Sequence, residues 1–349
     1  MAYSTIPKPS VHFNTKLYTG NAGTQSISSV GFQPDMTWIK RRGSAEDHAL
    51  FDAVRGATKR LFPSRDYSEA TQTGGLTSFD SDGFSLGNGD AVNGSDTYAS
   101  WNWKANGQGS SNTAGSINTT YTSVNTTAGF SISSYTGNGS AGATIGHGLG
   151  VVPKMIIAKK LNGSPNWAVY HAGLGSHTKY LELNTAASAA TDSGVWDNVP
   201  TSSTFLVGSD NRVNSSGDTY VAYCFAEKKG YSKFGKYTGN NNEDGAFVYL
   251  GFKPAFVVIK IIDTQTDNWA MYDNKRNPFN IGTSQRFRAN DSQADTTSNS
   301  EVDFLSNGFK VHGADGEING SGAKYIYMAF AEAPLVANSG TDGVPATAR

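Results

Sequence analysis

Cysteine is almost missing from this 349-residue chain: Cys224 stands alone, so no internal disulfide can form and stability must come from packing and strand pairing. Charge is scarce as well. Asp, Glu, Lys and Arg make up 16% of the chain and nearly cancel, at a net charge of -1. That excludes the broad basic field that nucleic acid or an anionic membrane would select. Local basic clusters such as Lys40-Arg41-Arg42 have acids close by and read as a solvated face. No apolar run approaches membrane-spanning length, and residues 1–10 lack the apolar centre of a signal peptide. The expectation is a soluble protein made in a cytoplasm, with no membrane insertion and no nucleic-acid partner. Phosphate-cradling, zinc-protease, nucleophile-elbow and paired-cysteine motifs are all absent, which leaves the common cofactor and hydrolase chemistries without support and sets the cofactor expectation at none.

What is abundant is glycine, 40 residues, together with Ser, Thr and Asn. That composition suits short strands joined by many turns and argues against a helical protein. A pattern recurs three times. It begins Tyr18-Thr19-Gly20-Asn21, Tyr135-Thr136-Gly137-Asn138 and Tyr237-Thr238-Gly239-Asn240. A Gly-x-x-Pro follows, ending at Pro34, Pro153 or Pro254, and then an apolar run closing on Lys40, Lys159 or Lys260. Self-similarity at this spacing means tandem units of about 100 residues. The expected organisation is an extended leader over 1–12, repeats over 13–105, 128–230 and 231–334, a Gly/Ser/Asn/Thr linker over 106–127 and a polar tail over 335–349.

Within each unit the run after the proline is apolar at consecutive positions, which implies a strand covered on both faces, with its final lysine reaching solvent. A second shared strand carries Asn166-Trp167-Ala168-Val169-Tyr170 and Asn268-Trp269-Ala270-Met271-Tyr272, with Asp47-His48-Ala49-Leu50-Phe51 in the first unit. Residues three apart face opposite sides of a strand, so the Trp is read as core and its Tyr partner as lying on the other face. Each unit closes on a further strand. In the first unit Ser100, Asn102 and Lys104 alternate with Trp101 and Trp103, so that strand is expected to show one face to water. Asp82-Gly83 and Asn307-Gly308 mark hairpins. Residues 48–61 read as a loop or a short helix.

Candidate chemistry is sparse. His171 and His177, six apart, have weak ligand spacing, and Asp80-Ser81-Asp82-Gly83 starts like a calcium loop without its later acids, so no metal is expected. Glu182, Asp192, Asp197 and Asp210 surround Trp196; a glycosidase would need two such carboxylates across a cleft, whereas surface acids are the plainer reading. Trp196 has no counterpart in the other units. It is the one glycan-contact candidate, set against a Trp that pins its own loop.

The strings His12-Phe13-Asn14-Thr15-Lys16-Leu17-Tyr18-Thr19-Gly20-Asn21, Leu50-Phe51-Asp52-Ala53-Val54-Arg55-Gly56, Gly146-His147-Gly148-Leu149-Gly150-Val151-Val152-Pro153 and Met328-Ala329-Phe330-Ala331-Glu332 resemble a tandem-repeat family of virion or tail-fibre-like proteins in tailed, often marine, bacteriophages. The resemblance implies an all-β protein of three tandem β-sandwich modules, concanavalin- or jelly-roll-like, and supplies no catalytic residues. It further implies a non-enzymatic virion structural protein, a tail fibre, appendage or tip component that meets the host surface, assembled in the host cytoplasm. Its partners would be other virion proteins, further copies of itself as a homotrimer, and a host glycan or protein. A capsid-decorating or head-fibre protein, and a polysaccharide-degrading virion enzyme, stand as the alternatives.

Overall fold

The computed structural model describes residues 4–263, 266–280, 282–299 and 301–336. The start of the expected leader, 1–3, and positions 337–349 of the expected tail lie outside the described residues. The protein is all-β, with antiparallel sheets grouped in three regions. Each region has one large sheet with the same central order. The leading strand (Phe13–Thr19, Phe130–Thr136, Ser232–Thr238) pairs with the closing strand (Thr97–Trp103, Thr219–Phe225, Lys324–Pro334). Next comes the post-proline strand (Met36–Arg41, Met155–Lys160, Phe252–Ile261) and then the aromatic strand (Ala49–Asp52, Ala168–His171, Trp269–Asp273). A small sheet accompanies each: Gln25–Ile27 with Gly83–Leu86 and Leu76–Asp80, Ala143–Gly146 with Thr204–Val207, and Phe247–Tyr249 with Gly308–Val311 and Val302–Leu305.

The post-proline strands are buried on both faces, as their unbroken apolar runs require. One face, with Ile39, Ile156 and Ala158, or Val257 and Ile259, shares an apolar cluster with the small sheet of its own region. The other face, with Met36 and Trp38, Met155 and Ile157, or Phe256 and Val258, joins a single cluster common to all three regions. Pro34 and Pro153 stand just before their strands, whereas Pro254 lies inside one, at a register shift where the missing donor is tolerated. Trp167 and Trp269 are in the common cluster, and Tyr170 and Tyr272 are on the opposite face.

The Tyr-Thr-Gly-Asn motif is a clasp. Tyr18 stacks on Tyr98, Tyr135 on Tyr220 and Tyr237 on Tyr325. Their hydroxyls donate to backbone carbonyls of the turn before the closing strand, at Val92, Val213 and Ile318. The backbone N–H of Asn21, Asn138 and Asn240 donates to the side-chain oxygen of Asn93, Asn214 and Asn319 in that same turn. The glycine lets the two segments touch: a Cβ on Gly20 would sit 2.0 Å from the Gly94 carbonyl oxygen, and one on Gly137 2.4 Å from that of Ser215.

Three expectations are corrected. The first unit's polar face does not meet water: Ser100 and Asn102 are fully buried. Thr37 Oγ1 donates to Asn102 Oδ1 at 3.1 Å and Asn102 Nδ2 to the Asn14 carbonyl at 3.1 Å, so these groups satisfy one another inside the region. Residues 48–61 form no helix but two short strands, Ala49–Asp52 and Lys59–Arg60, around a turn. The stretch 106–127 supplies a strand, Thr119–Asn125, along the outer edge of Phe130–Thr136, because its Thr, Tyr and Val pair well once a sheet edge is present. The hairpins at Asp82-Gly83 and Asn307-Gly308 form, while Thr204–Val207, among the described residues, pairs with Ala143–Gly146 alone.

At the centre of the common cluster three equivalent rings meet pairwise. Trp103 and Phe225 lie 6.4 Å apart, Trp103 and Phe330 5.7 Å, and Phe225 and Phe330 6.1 Å, all edge to face. No region can keep its inner face dry alone, so chemical denaturation should show one transition for the whole protein. Phe225→Ala should shift that single transition by about 3–5 kcal/mol; a separate early phase, with the other two regions unaffected, would contradict a shared core.

Candidate functional site

The regions meet at joints built from the aromatic strands. Trp167 Nε1 of the second region donates to the carbonyls of Phe62 and Arg65 in the first, at 3.1 and 3.0 Å. Trp269 Nε1 of the third donates to Glu182 O in the second at 2.9 Å. His48, at the equivalent place in the first, donates from Nε2 to Arg288 O of the third at 3.1 Å, while its Nδ1 accepts from Trp38 Nε1 at 2.7 Å. Those two bonds select the tautomer with its proton on Nε2. Second reaches first, third reaches second and first reaches third, which closes a ring. Backbone bonds repeat the circuit: Glu69 N to Leu161 O, Ala189 N to Ile262 O and Asp295 N to Arg42 O.

The lysines ending the post-proline strands belong to the joints, which corrects the expectation that they reach solvent. Lys40, Lys159 and Lys260 are fully buried. Lys159 Nζ donates to Asp66 O of the first region at 2.7 Å, and Lys260 Nζ to Ala186 O of the second at 2.9 Å. Lys40 Nζ donates to Arg41 O and lies 5.2 Å from the centre of the Phe287 ring of the third. Burial lowers each ammonium to about 8. A lysine after an apolar run ordinarily snorkels to water; here the neighbouring region covers the exit and offers a carbonyl to Lys159 and to Lys260 and a ring to Lys40.

A further buried set leaves only a short mark in the sequence, an Asp-x-x-Arg at the end of the aromatic strand in the first and third regions. Asp52 pairs with Arg55 at 2.6 Å and Asp273 with Arg276 at 2.6 Å, each three residues apart. Tyr223 of the second region donates its hydroxyl to Asp52 at 2.6 Å, and Trp101 of the first donates Nε1 to Asp273 of the third at 3.2 Å. In the second region His171 takes the acid's place, with Nε2 donating to Tyr327 O of the third at 3.2 Å. Burial pulls His171 down to about 4 and holds His48 well below its ordinary range.

The sequence-derived site residues do not assemble into a ligand site. Trp196 is 1% exposed and sits edge to face with Tyr170 and Phe205. It fills the interior of its own region and offers no ring face for a sugar to stack on. Of the four acids around it, Glu182, Asp192 and Asp210 converge on one guanidinium, that of Arg212, at 3.1, 3.2 and 2.7 Å, so they do not face each other across a cleft. Asp82 accepts from the backbone N–H of Ser29 and Gly31, as a turn residue does. His171 is spent on a carbonyl of the third region, and among the described residues the carboxylates grouped closely enough for a cation are others, Asp267, Asp315 and Glu317. Arg286 pairs with Asp315 and Glu317 and Arg288 with Glu317, so the protein supplies that cluster's counter-charge.

One family profile, described as a domain of unknown function (DUF7483), matches residues 8–334. The chain belongs to the DUF7483 family. No curated protein and no solved structure matches it. The DUF7483 match runs without a break through all three regions, as expected of units that share one core. Among the described residues, one surface groove of about 270 Å³ lies beside Ser232, Lys233 and Tyr249 and another of about 260 Å³ between Arg55 and Tyr121. Among the described residues no helix is long and apolar enough to cross a membrane.

The joints of this DUF7483 chain should loosen in acid. His171 is neutral when buried, so its contribution is complete above pH 6.5, where the unfolded chain is also neutral, and is lost as pH falls towards 4. By pH 4 that amounts to about 3 kcal/mol for this one side chain. His48 and His147 are lowered in the same direction. Unfolding midpoints measured from pH 7 to 4 should fall less steeply for His171→Gln; an unchanged slope would remove His171 from the account.

Proposed function

We propose that this DUF7483 chain is a non-enzymatic structural protein of a tailed-phage virion, made of three concanavalin- or jelly-roll-like β-sandwich modules and serving as a tail fibre, appendage or tip component at the host surface. The observation that carries the reading is the use made of the chain's polar and titratable side chains. His48, His171, Lys40, Lys159, Lys260, Asp52 and Asp273 are struts between regions. Groups spent in this way hold shape and are withdrawn from solvent, which suits a load-bearing part. The sandwich reading is supported by the separate apolar cluster that each small sheet shares with its large sheet. The virion reading rests on the likeness of the repeat strings to phage tail-fibre-like proteins. Assembly with other virion proteins, further association as a homotrimer and contact with a host glycan or protein belong to the same proposal.

Mass spectrometry of purified particles should find the chain, and electron microscopy with an antibody against it should place label on the tail. Label on the head would move the assignment to capsid decoration. Absence from particles, or reducing sugar released from host envelope material by the purified protein, would overturn it.

A further inference from the structure

The three regions differ in how their outer edges are finished, and the difference exposes a seat. In the second region one covering segment closes two edges at once. Thr119–Asn125 pairs along Phe130–Thr136, and Ile117 bridges to Ile145 at the edge of the small sheet, its N–H donating to Thr144 O at 3.0 Å. Ile117 is buried, and Val124 packs against the cluster that the two sheets share.

In the third region the same two edges are Ser232–Thr238 and Phe247–Tyr249, and among the described residues no strand pairs with the outer side of either. Between them runs the groove of about 270 Å³, lined by Ser232, Lys233, Tyr249 and Leu250 among others. Phe247 is 48% exposed and Tyr249 54%. The first region shows what an edge finished for water looks like. Val248 pairs with Phe309 as Ile27 pairs with Phe84, so Phe247 and Tyr249 stand where the first region has Ser26 and Ser28, both exposed. Two aromatics on a small-sheet edge that no described strand pairs, where Lys233 Nζ donates to Tyr249 O at 2.8 Å and the equivalent edges of the second region carry a covering segment, mark a surface that gets covered.

We propose that this edge of the third region binds an extended segment of a partner protein, carrying an acidic residue and an apolar anchor, by strand addition. The link 226–231 is too short to fold back as 106–125 does, and the closing strand holds it in place through Tyr231 O. The charge on the edge selects the partner. Phe130–Thr136, already covered, has no charged residue, whereas Ser232–Thr238 carries Lys233 and Lys236. Two copies meeting edge to edge would set these lysines against their own kind, which disfavours self-pairing. An acidic strand is attracted by the same charges. The proposal is independent of where the protein is deployed.

The probe is a fluorescein-labelled synthetic peptide with the sequence of residues 115–126, the chain's own covering segment, and a second peptide with glutamate replacing the tyrosine that falls opposite Lys236. Fluorescence anisotropy with the full chain should show binding, about two- to five-fold tighter for the glutamate peptide. The double variant Phe247→Ser/Tyr249→Ser, which copies the first region and should fold as that region does, should weaken both peptides about ten-fold or more. The proposal is overturned if neither peptide binds, or if the double variant binds them as well as the parent. It is overturned too if sedimentation shows a dimer that the double variant abolishes, since the occupant is then a second copy. Binding only to a chain ending at Val336 would assign the seat to the chain's own C-terminal residues and would equally overturn it.

Discussion

Everything in this protein depends on keeping one apolar centre dry. Trp103, Phe225 and Phe330 touch one another there, and each is backed by the post-proline strand of its own region. A large sheet buries its second face only if something lies against it. In this chain each inner face lies against the other two, so the regions are conditional on each other. Aromatic rings suit that place because edge-to-face contact lets three bulky groups from different directions share a point without leaving a void.

The polar joints follow from the same constraint. Turning three sheets inward also buries the ends of their strands, where a lysine, a histidine or an aspartate would otherwise be wet. Each of those groups has been given a partner on the neighbouring region: carbonyls for Lys159 and Lys260, a ring for Lys40, a phenol or an indole for the two aspartates. Burying a charge or a polar group without a partner is costly, so such groups are satisfied only when the ring is closed and oppose any other arrangement. They specify the relative placement of the regions more than they add to net stability.

Divergence among the copies is graded by what each position must do. The clasp is nearly identical in all three because it serves the fold of one region and meets the same steric demand each time, a carbonyl where a Cβ would be. At the joints the partners differ. Trp101, Tyr223 and Met328 occupy one equivalent place, and Asp52, His171 and Asp273 another. A joint is satisfied pairwise, so one side can change when the other changes with it. At the outer edges the copies share least, with a covering strand on one, serines on another and aromatics on the third.

The amino-acid sequence by itself determined the strands, their order of burial and the threefold recurrence. Unbroken apolar runs, turn dipeptides and the Tyr-Thr-Gly-Asn string act through contacts within about 100 residues and are legible locally. The burial of Trp167 and Trp269 was legible for the same reason. What only the tertiary structure decided is the mutual placement of the regions. It turned Lys40, Lys159 and Lys260 from solvent-seeking ends into buried donors, while packing inside single regions enclosed the Ser100 and Asn102 face, drew Thr119–Asn125 into a sheet and sealed Trp196. The lysines depend on a partner across the closed ring, and the other three on which strands and loops of one region come to lie over one another. Periodicity records how often a side chain turns inward, and it carries no information about which distant surface will be waiting there.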